Sequence, residues 1–223
     1  MIRVIVARHG VTAWNQGGRY QGHQDVPLGD DGRRQAENLG HRLAAERISA
    51  AYSSDLARAR DTAEIALAGR SVCLTPTPTL RETCFGAWEG LQAREIAARY
   101  PSEWESWLRD PLEARPPGGE TVNELQQRVV AFYRSIVDLD DGQHAPRDWF
   151  SYRAAGPLSA NGGDQTILIV THGGPVRALL TYVLDVRLDL YWRFGIRPAS
   201  VSILDVYPEG AITEVIGDTS HLT

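Results

Sequence analysis

Cysteine is scarce: Cys73 and Cys84 are the only two in 223 residues. They form neither a CxxC pair nor a disulfide-scaffold pattern, and are expected to be reduced thiols of a cytoplasmic protein. No apolar run approaches the roughly 20 residues that would span a bilayer. The sequence enters an apolar, strand-like stretch at once, so no signal peptide is expected. Positive charge is short as well, with 23 Lys plus Arg against 28 Asp plus Glu and a net charge of −5. A nucleic-acid or membrane surface would want a basic patch, so neither partner is expected. Any anion site must then be a local cluster of positive groups. No acidic cluster or close histidine pair has the spacing of metal ligands, so no metal and no cofactor are expected. Internal repeats and low-complexity tracts are also missing.

What is present suits a globular protein, with 43% hydrophobic and 23% charged residues. A chain of this length is expected to form a single domain over 1–223 with inserted segments. Ile2 to Ala7 is a short apolar, β-branched run and reads as a buried strand. It stops at Arg8 and His9, and Gly10 permits a sharp turn. In open α/β sheets, ligands bind beyond the carboxyl ends of the strands. A cation and an imidazole at that edge can form an anion site; taken alone, the dipeptide also reads as a solvated loop pair.

A polar loop over 17–25 ends at Pro27 and Gly29, and Asp30 and Asp31 then suit the first turn of a helix. Ala36, Leu39, Leu43 and Ala44 recur at helical spacing, which predicts a helix over 30–46. A short strand over 50–53 follows. Ser54 or Asp55 is expected to cap a helix over 56–68, which puts Arg58 in its first turn, at the same rim as Arg8 and His9. Residues 71–80 look extended, and Pro76 and Pro78 restrict them to a sheet edge or a strap. The stretch of about 83–117, interrupted by four prolines and holding Trp88, Trp104 and Trp107, reads as a small helical cap with the tryptophans in its core.

Thr121 and Glu124 make a capping box for a long helix with Val122, Leu125, Val129, Phe132 and Ile136 on one stripe. Residues 141–165, rich in Gly, Pro, Asp and Asn, form an extra loop long enough to be functional. Thr166 to Thr171 is the clearest buried strand, ending in His172-Gly173-Gly174. Pro175 suits the first position of a helix running to Leu184. Two more strands, over 201–206 and 211–216, close the pattern. Strands alternating with helices predict a three-layer α/β/α sandwich around a mostly parallel sheet.

Two strands, 2–7 and 166–171, each end in a histidine followed by glycine. If they lie side by side and parallel, His9 and His172 converge with Arg8, Arg58 and the start of the helix near Pro175. Two arginines can grip phosphate with paired, charge-assisted hydrogen bonds, and a helix N-terminus adds backbone donors.

In order along the chain stand Arg8-His9-Gly10, the run Ser53-Ser54-Asp55-Leu56-Ala57-Arg58-Ala59, Leu80-Arg81-Glu82, Gly118-Gly119-Glu120 and Thr171-His172-Gly173. Each motif is weak alone; the ordered set closely resembles the histidine phosphatase superfamily, the phosphoglycerate-mutase-like proteins. The likeness covers nearly the whole chain apart from 141–165. It implies a metal-independent phosphomonoester hydrolase acting on a small phosphorylated metabolite. His9 would be the nucleophile, with its other ring nitrogen donating the hydrogen bond that fixes the tautomer. Arg8, Arg58 and His172 would hold the equatorial oxygens, where charge accumulates in phosphoryl transfer. Glu82 would protonate the leaving oxygen and later take a proton from water. Thr12, Asn15, Gln21, Gly22 and Gly173 match positions lining the pocket in such proteins, although Thr12 and Asn15 are also common turn formers. The 141–165 loop would fold over the pocket and help select the non-phosphate part of the substrate; a dimer contact or a surface loop is the alternative, and a homodimer stays open.

Three other readings compete. Cofactor-dependent phosphoglycerate mutases share the same core residues, a catalytically inactive phospholigand-binding protein can use the same fold, and a metal-dependent hydrolase is the third. An inactive relative should have lost one of His9, Arg8, Arg58, Glu82 or His172. The mutases usually carry Ser where this chain has Thr12 and a small hydroxyl residue where it has Gln21. They also have a longer, arginine-bearing insertion before the Gly-Gly-Glu motif, whereas Glu82 to Gly118 is short and has no paired-arginine segment. A mutase must retain a bisphosphorylated intermediate and exclude water while it reorients. The phosphatase branch is therefore expected; the enzymes resembled include broad-specificity, α-ribazole-phosphate and sugar-phosphate phosphatases.

Overall fold

Alternation along the strands decides the layers. In the computed structural model, which describes residues 1–137, 165–207 and 210–223, six strands form one sheet. They are β1 (Ile2–Arg8), β2 (Ile48–Ser54), β3 (Leu74–Thr77), β4 (Gln165–Thr171), β5 (Val201–Tyr207) and β6 (Gly210–Asp218), in the spatial order β3-β2-β4-β1-β5-β6. β1 pairs parallel with β4, and β2 pairs parallel with both β4 and β3. β5 lies antiparallel to β1 and to β6. The sheet is thus mixed and mostly parallel.

Successive strand residues point to opposite faces, and both faces are covered. Val4, Val6, Ile167, Ile169 and Leu204 join one apolar cluster, while Ile5, Ala7, Leu168, Val170 and Ile203 join the other. The second face carries α2 (Asp30–Arg42) and α3 (Ala57–Ala66), through Leu39, Ala63 and Ala66. Two further helices cover the first face, Val122–Ile136 and Gly173–Val183, through Leu125, Val129, Val176 and Leu179. The three-layer α/β/α arrangement is the predicted one.

Between β3 and the Val122 helix lies the predicted cap, built of a 3-10 turn (Gly86–Trp88), α4 (Ala93–Arg99) and α5 (Pro101–Arg109). With α1 (Ala13–Gln16) already passed, the Val122 helix is α6 and the Gly173 helix is α7. Trp88 and Trp107 are buried. They meet Tyr20, Phe85 and Trp104 edge-to-face at 5.6–6.2 Å, so the tryptophans form cap core, as expected.

Several boundaries differ from expectation. α2 stops at Arg42, and Leu43 is its C-cap, although Leu43 is still buried. α3 is not capped by the side chain of its own preceding residues alone. The Ser54 hydroxyl accepts from Leu56 N–H at 3.3 Å, but the first helical N–H, that of Ala57, is satisfied by Asp25 at 2.7 Å from a distant loop. α7 starts two residues before Pro175, with His172 as its N-cap. The four-residue α1 and a 3-10 stretch over Leu188–Arg193 were not anticipated. The 141–165 loop lies outside the described residues except for Gln165, which opens β4. Among the described residues no helix is long and apolar enough to cross a membrane.

Candidate active site

β1 and β4 are in register with Arg8 opposite Thr171, so His9 and His172 leave the sheet together. Their ring centroids are 5.0 Å apart and both rings are buried. The His9 backbone is gripped from two sides: its N–H donates to Thr171 O at 2.8 Å and its carbonyl accepts from Ala199 N–H at 3.0 Å. Its Nδ1 lies 2.6 Å from the Gly10 carbonyl. A carbonyl only accepts, so Nδ1 carries the proton and Nε2 keeps a lone pair. His172 has the opposite tautomer. Arg58 Nε donates to its Nδ1 at 3.2 Å, which leaves the proton on Nε2, and that buried N–H has no partner among the described residues.

The turn after His9 is set by close packing. A Cβ on Gly10 would overlap Gly32 O, and one on Gly32 would overlap Val11 O. Gly10 N–H also donates to Thr62 Oγ1 at 3.1 Å, and that hydroxyl donates on to Arg58 O at 2.6 Å. The same threonine therefore couples the His9 turn to the first turn of α3.

Arg58 is fully buried. It donates to Gly22 O at 2.7 Å and Gln24 O at 2.9 Å, besides His172. A guanidinium has five N–H groups; three fix its position and two remain. Arg8 Nη1 donates to Ile196 O at 2.8 Å, while its buried Nε has no partner among the described residues. Burial pushes the Arg8 pKa down and that of Arg58 to about 10, with Glu82 opposing both shifts. Burial, then Arg58, holds both histidines well below their usual value, and Arg8 acts in the same direction. Two desolvated cations and unpaired donors in one place are costly unless an anion completes them.

Glu82 reaches the site from the other side. The Thr171 hydroxyl donates to Leu80 O at 2.6 Å. Arg128, on α6, donates to Thr79 O at 2.7 Å and Glu82 O at 2.9 Å while pairing with Glu120 at 2.6 Å. The Glu82 carboxylate accepts from Gly174 N–H at 3.0 Å and from Thr83 N–H at 2.9 Å, so it sits on the N-terminus of α7. A Cβ on Gly174 would overlap Glu82 Oε1. Its neighbour Arg81 turns away and pairs with Asp55 at 2.7 and 2.6 Å.

The other matched positions play visible local parts. Thr12 and Asn15 form a capping box on α1, and the Thr12 hydroxyl donates to Gln21 Oε1 at 2.9 Å. Gln21 Nε2 is buried with no partner among the described residues. Gly22 supplies its carbonyl to Arg58 and has no room for a Cβ, which would overlap Glu89 Oε1. Glu89 accepts from His23, Gln24 and Phe85 N–H at 2.9, 2.8 and 3.1 Å, and so ties down the loop whose carbonyls hold Arg58. Gly173 leaves space beside Arg8. Sequence reasoning missed Arg128, Asp25, Arg177 and the buried Tyr191; for Arg177 the one available signal is its position four residues after Gly173 on a predicted helix. Among the described residues no group of His, Cys, Asp and Glu could hold a metal ion.

Comparison with known proteins agrees with this geometry. The family model described as the histidine phosphatase superfamily (branch 1) matches residues 4–145 and 152–219. Phosphoserine phosphatase 1 of Hydrogenobacter thermophilus is 28% identical over 222 residues, covering 100% of this chain and 95% of the relative. The probable phosphoglycerate mutase GpmB of Salmonella choleraesuis is 32% identical, again covering 100% of this chain and 95% of the relative. The crystal structure of a putative alpha-ribazole-5'-P phosphatase from Escherichia coli matches with a TM-score of 0.81 at 28% identity, over 97% of this chain and 96% of the other.

Proposed function

The chain belongs to the histidine phosphatase superfamily, and on that basis we propose that it hydrolyses small phosphomonoesters through a phosphohistidine on His9. The opposite tautomers of His9 and His172 carry the reading. One ring offers a lone pair and the other an N–H without a partner among the described residues, beside buried Arg58 and the buried Nε of Arg8.

In the first step His9 Nε2 attacks phosphorus and the bond to the leaving oxygen breaks. Glu82, protonated, gives its proton to that oxygen. Gly10 O stabilises the charge that develops on the ring through the Nδ1 proton. Arg8, the two remaining N–H groups of Arg58 and His172 Nε2–H hold the equatorial oxygens. In the second step water attacks phosphorus and loses a proton to Glu82. The P–N bond breaks, its electron pair returns to Nε2, and inorganic phosphate leaves. Thr12, Asn15, Gln21, Gly22 and Gly173 shape the pocket around these groups.

The test is covalent capture. After rapid acid-free quenching of a turning-over mixture, mass spectrometry should find phosphate on His9. Label on another residue, or undiminished label in His9→Ala, would overturn the assignment. The name of the mutase relative supports a second reading. Phosphate release from several monoesters should therefore be measured in EDTA beside conversion of 3-phosphoglycerate to 2-phosphoglycerate with 2,3-bisphosphoglycerate added. Mutase turnover far above every hydrolysis rate would replace the phosphatase reading.

A further inference from the structure

Arg177 is a third cation at this site, and the reaction as written does not use it. It lies on α7, one turn after Gly173, and its Nε donates to Phe194 O at 2.9 Å. Arg8 is tied to Ile196 O, two residues further on. The two guanidinium groups are thus pinned by the same backbone segment. They flank one point: a Cβ on Gly173 would lie 3.0 Å from Arg177 Nη1 and 3.6 Å from Arg8 Cζ. Glycine at 173 leaves that space open.

Arg177 is also held in place. Its guanidinium carbon lies 5.8 Å from the Tyr191 ring centroid and 5.7 Å from that of Trp192. The two rings meet edge-to-face at 4.8 Å. Tyr191 is buried, whereas Trp192 is 51% exposed, so the cluster reaches the rim. A guanidinium fixed by its Nε and its face loses little entropy when its remaining N–H groups bind a ligand. No carboxylate pairs with Arg177 among the described residues.

Charge decides what that ligand is. A phosphomonoester brings about two negative charges, which the proposed reaction places on Arg8 and Arg58. Arg177 is then one cation in excess. Half-buried Arg177 has no carboxylate partner among the described residues, and a further anionic group on the substrate would supply one. We propose that Arg177 is a specificity-determining residue that binds a carboxylate on the substrate's carbon skeleton, so that the preferred phosphomonoesters carry a carboxyl group a few bonds from the phosphate. This rests on the phosphatase reading. Arg177 offers its outer N–H pair to the carboxylate in the forked geometry that suits a planar anion, and Trp192 covers the chain between the two charged groups.

The experiment uses ester pairs that differ at the carboxylate: O-phosphoserine with O-phosphoethanolamine, and 3-phosphoglycerate with glycerol 3-phosphate. kcat/KM is measured for the wild type, Arg177→Gln, Arg177→Lys and Trp192→Ala, with thermal unfolding of each variant. The wild type should favour the carboxylated member of each pair. Arg177→Gln should lose about 10- to 100-fold on that member, the size of one hydrogen bond to a charged group, mainly through KM. It should change little on the neutral member. Arg177→Lys should regain part of the preference, and Trp192→Ala should weaken it in the same direction. Equal losses on both members, or a wild type without the preference, would show that Arg177 only packs the Phe194 segment. No phosphate release from any of the four esters or from p-nitrophenyl phosphate would overturn the phosphatase reading itself, and this inference with it.

Discussion

All 23 basic residues of the chain are arginines, which stay charged through the neutral range. Titration between pH 5 and 8 therefore falls to the histidines. His9 and His172 are neutral when folded, because burial and then Arg58 disfavour their charged forms. In the unfolded chain they take up protons below about pH 6.5. The unfolded state then binds more protons, so stability is fully present above that pH and falls as pH drops below it. Thermal unfolding from pH 7.5 to 5 should show this decline, and it should be shallower in His172→Gln; an identical slope would mean that His172 is not held neutral. Glu82→Gln should slow turnover by roughly 10²–10⁴-fold while inhibition by inorganic phosphate persists, since Gln can still accept from Gly174 N–H. Unchanged turnover would move the proton transfer to another group. The residues that touch phosphorus in this scheme were legible because each directly follows a strand or sits in a short motif. Arg128 and Arg177 were not, because their placement depends on carbonyls at 79, 82 and 194, on segments that no local pattern links to them.

Among the elements, α2 holds a glycine in its first turn that helix propensity would replace. Gly32→Ala should gain about 1 kcal/mol of intrinsic helix preference. The added methyl group would instead meet Val11 O, immediately after the His9–Gly10 turn. Overpacking of that kind costs about 1–3 kcal/mol, so the net change should be destabilising in urea unfolding, together with reduced turnover. A stabilised variant would mean that this turn yields freely. Elements were readable where the local signal was strong: the Thr121 box, the apolar run of β4, and β3 at the edge with Pro76 inside it and Pro78 just after it. The start of α3 was misread because its first N–H is satisfied by Asp25, 32 residues away. α7 begins early because the extended backbone of His172 already serves as the cap, which Pro175 gave no hint of.

At the scale of the molecule, a net charge of −5 surrounds a pocket that holds buried Arg58 beside half-buried Arg8. Anion binding should then act as a stabiliser. A ligand at about 100 times its Kd contributes about 2.7 kcal/mol, so millimolar phosphate or vanadate should raise the thermal midpoint, and Arg58→Ala should abolish the rise. An equal rise in that variant would place the anion elsewhere. The sheet order has a further outcome for how the protein is made. β1, the first strand of the chain, lies between β4 and β5, and the Arg3–Asp205 ion pair joins residues 202 positions apart. On the ribosome, His9 emerges long before the strand that delivers His172, so a growing chain stays inert until β4 has been made. A message cut short before β5 would yield a product in which β1 has one open edge, a template for aggregation that the cell must clear.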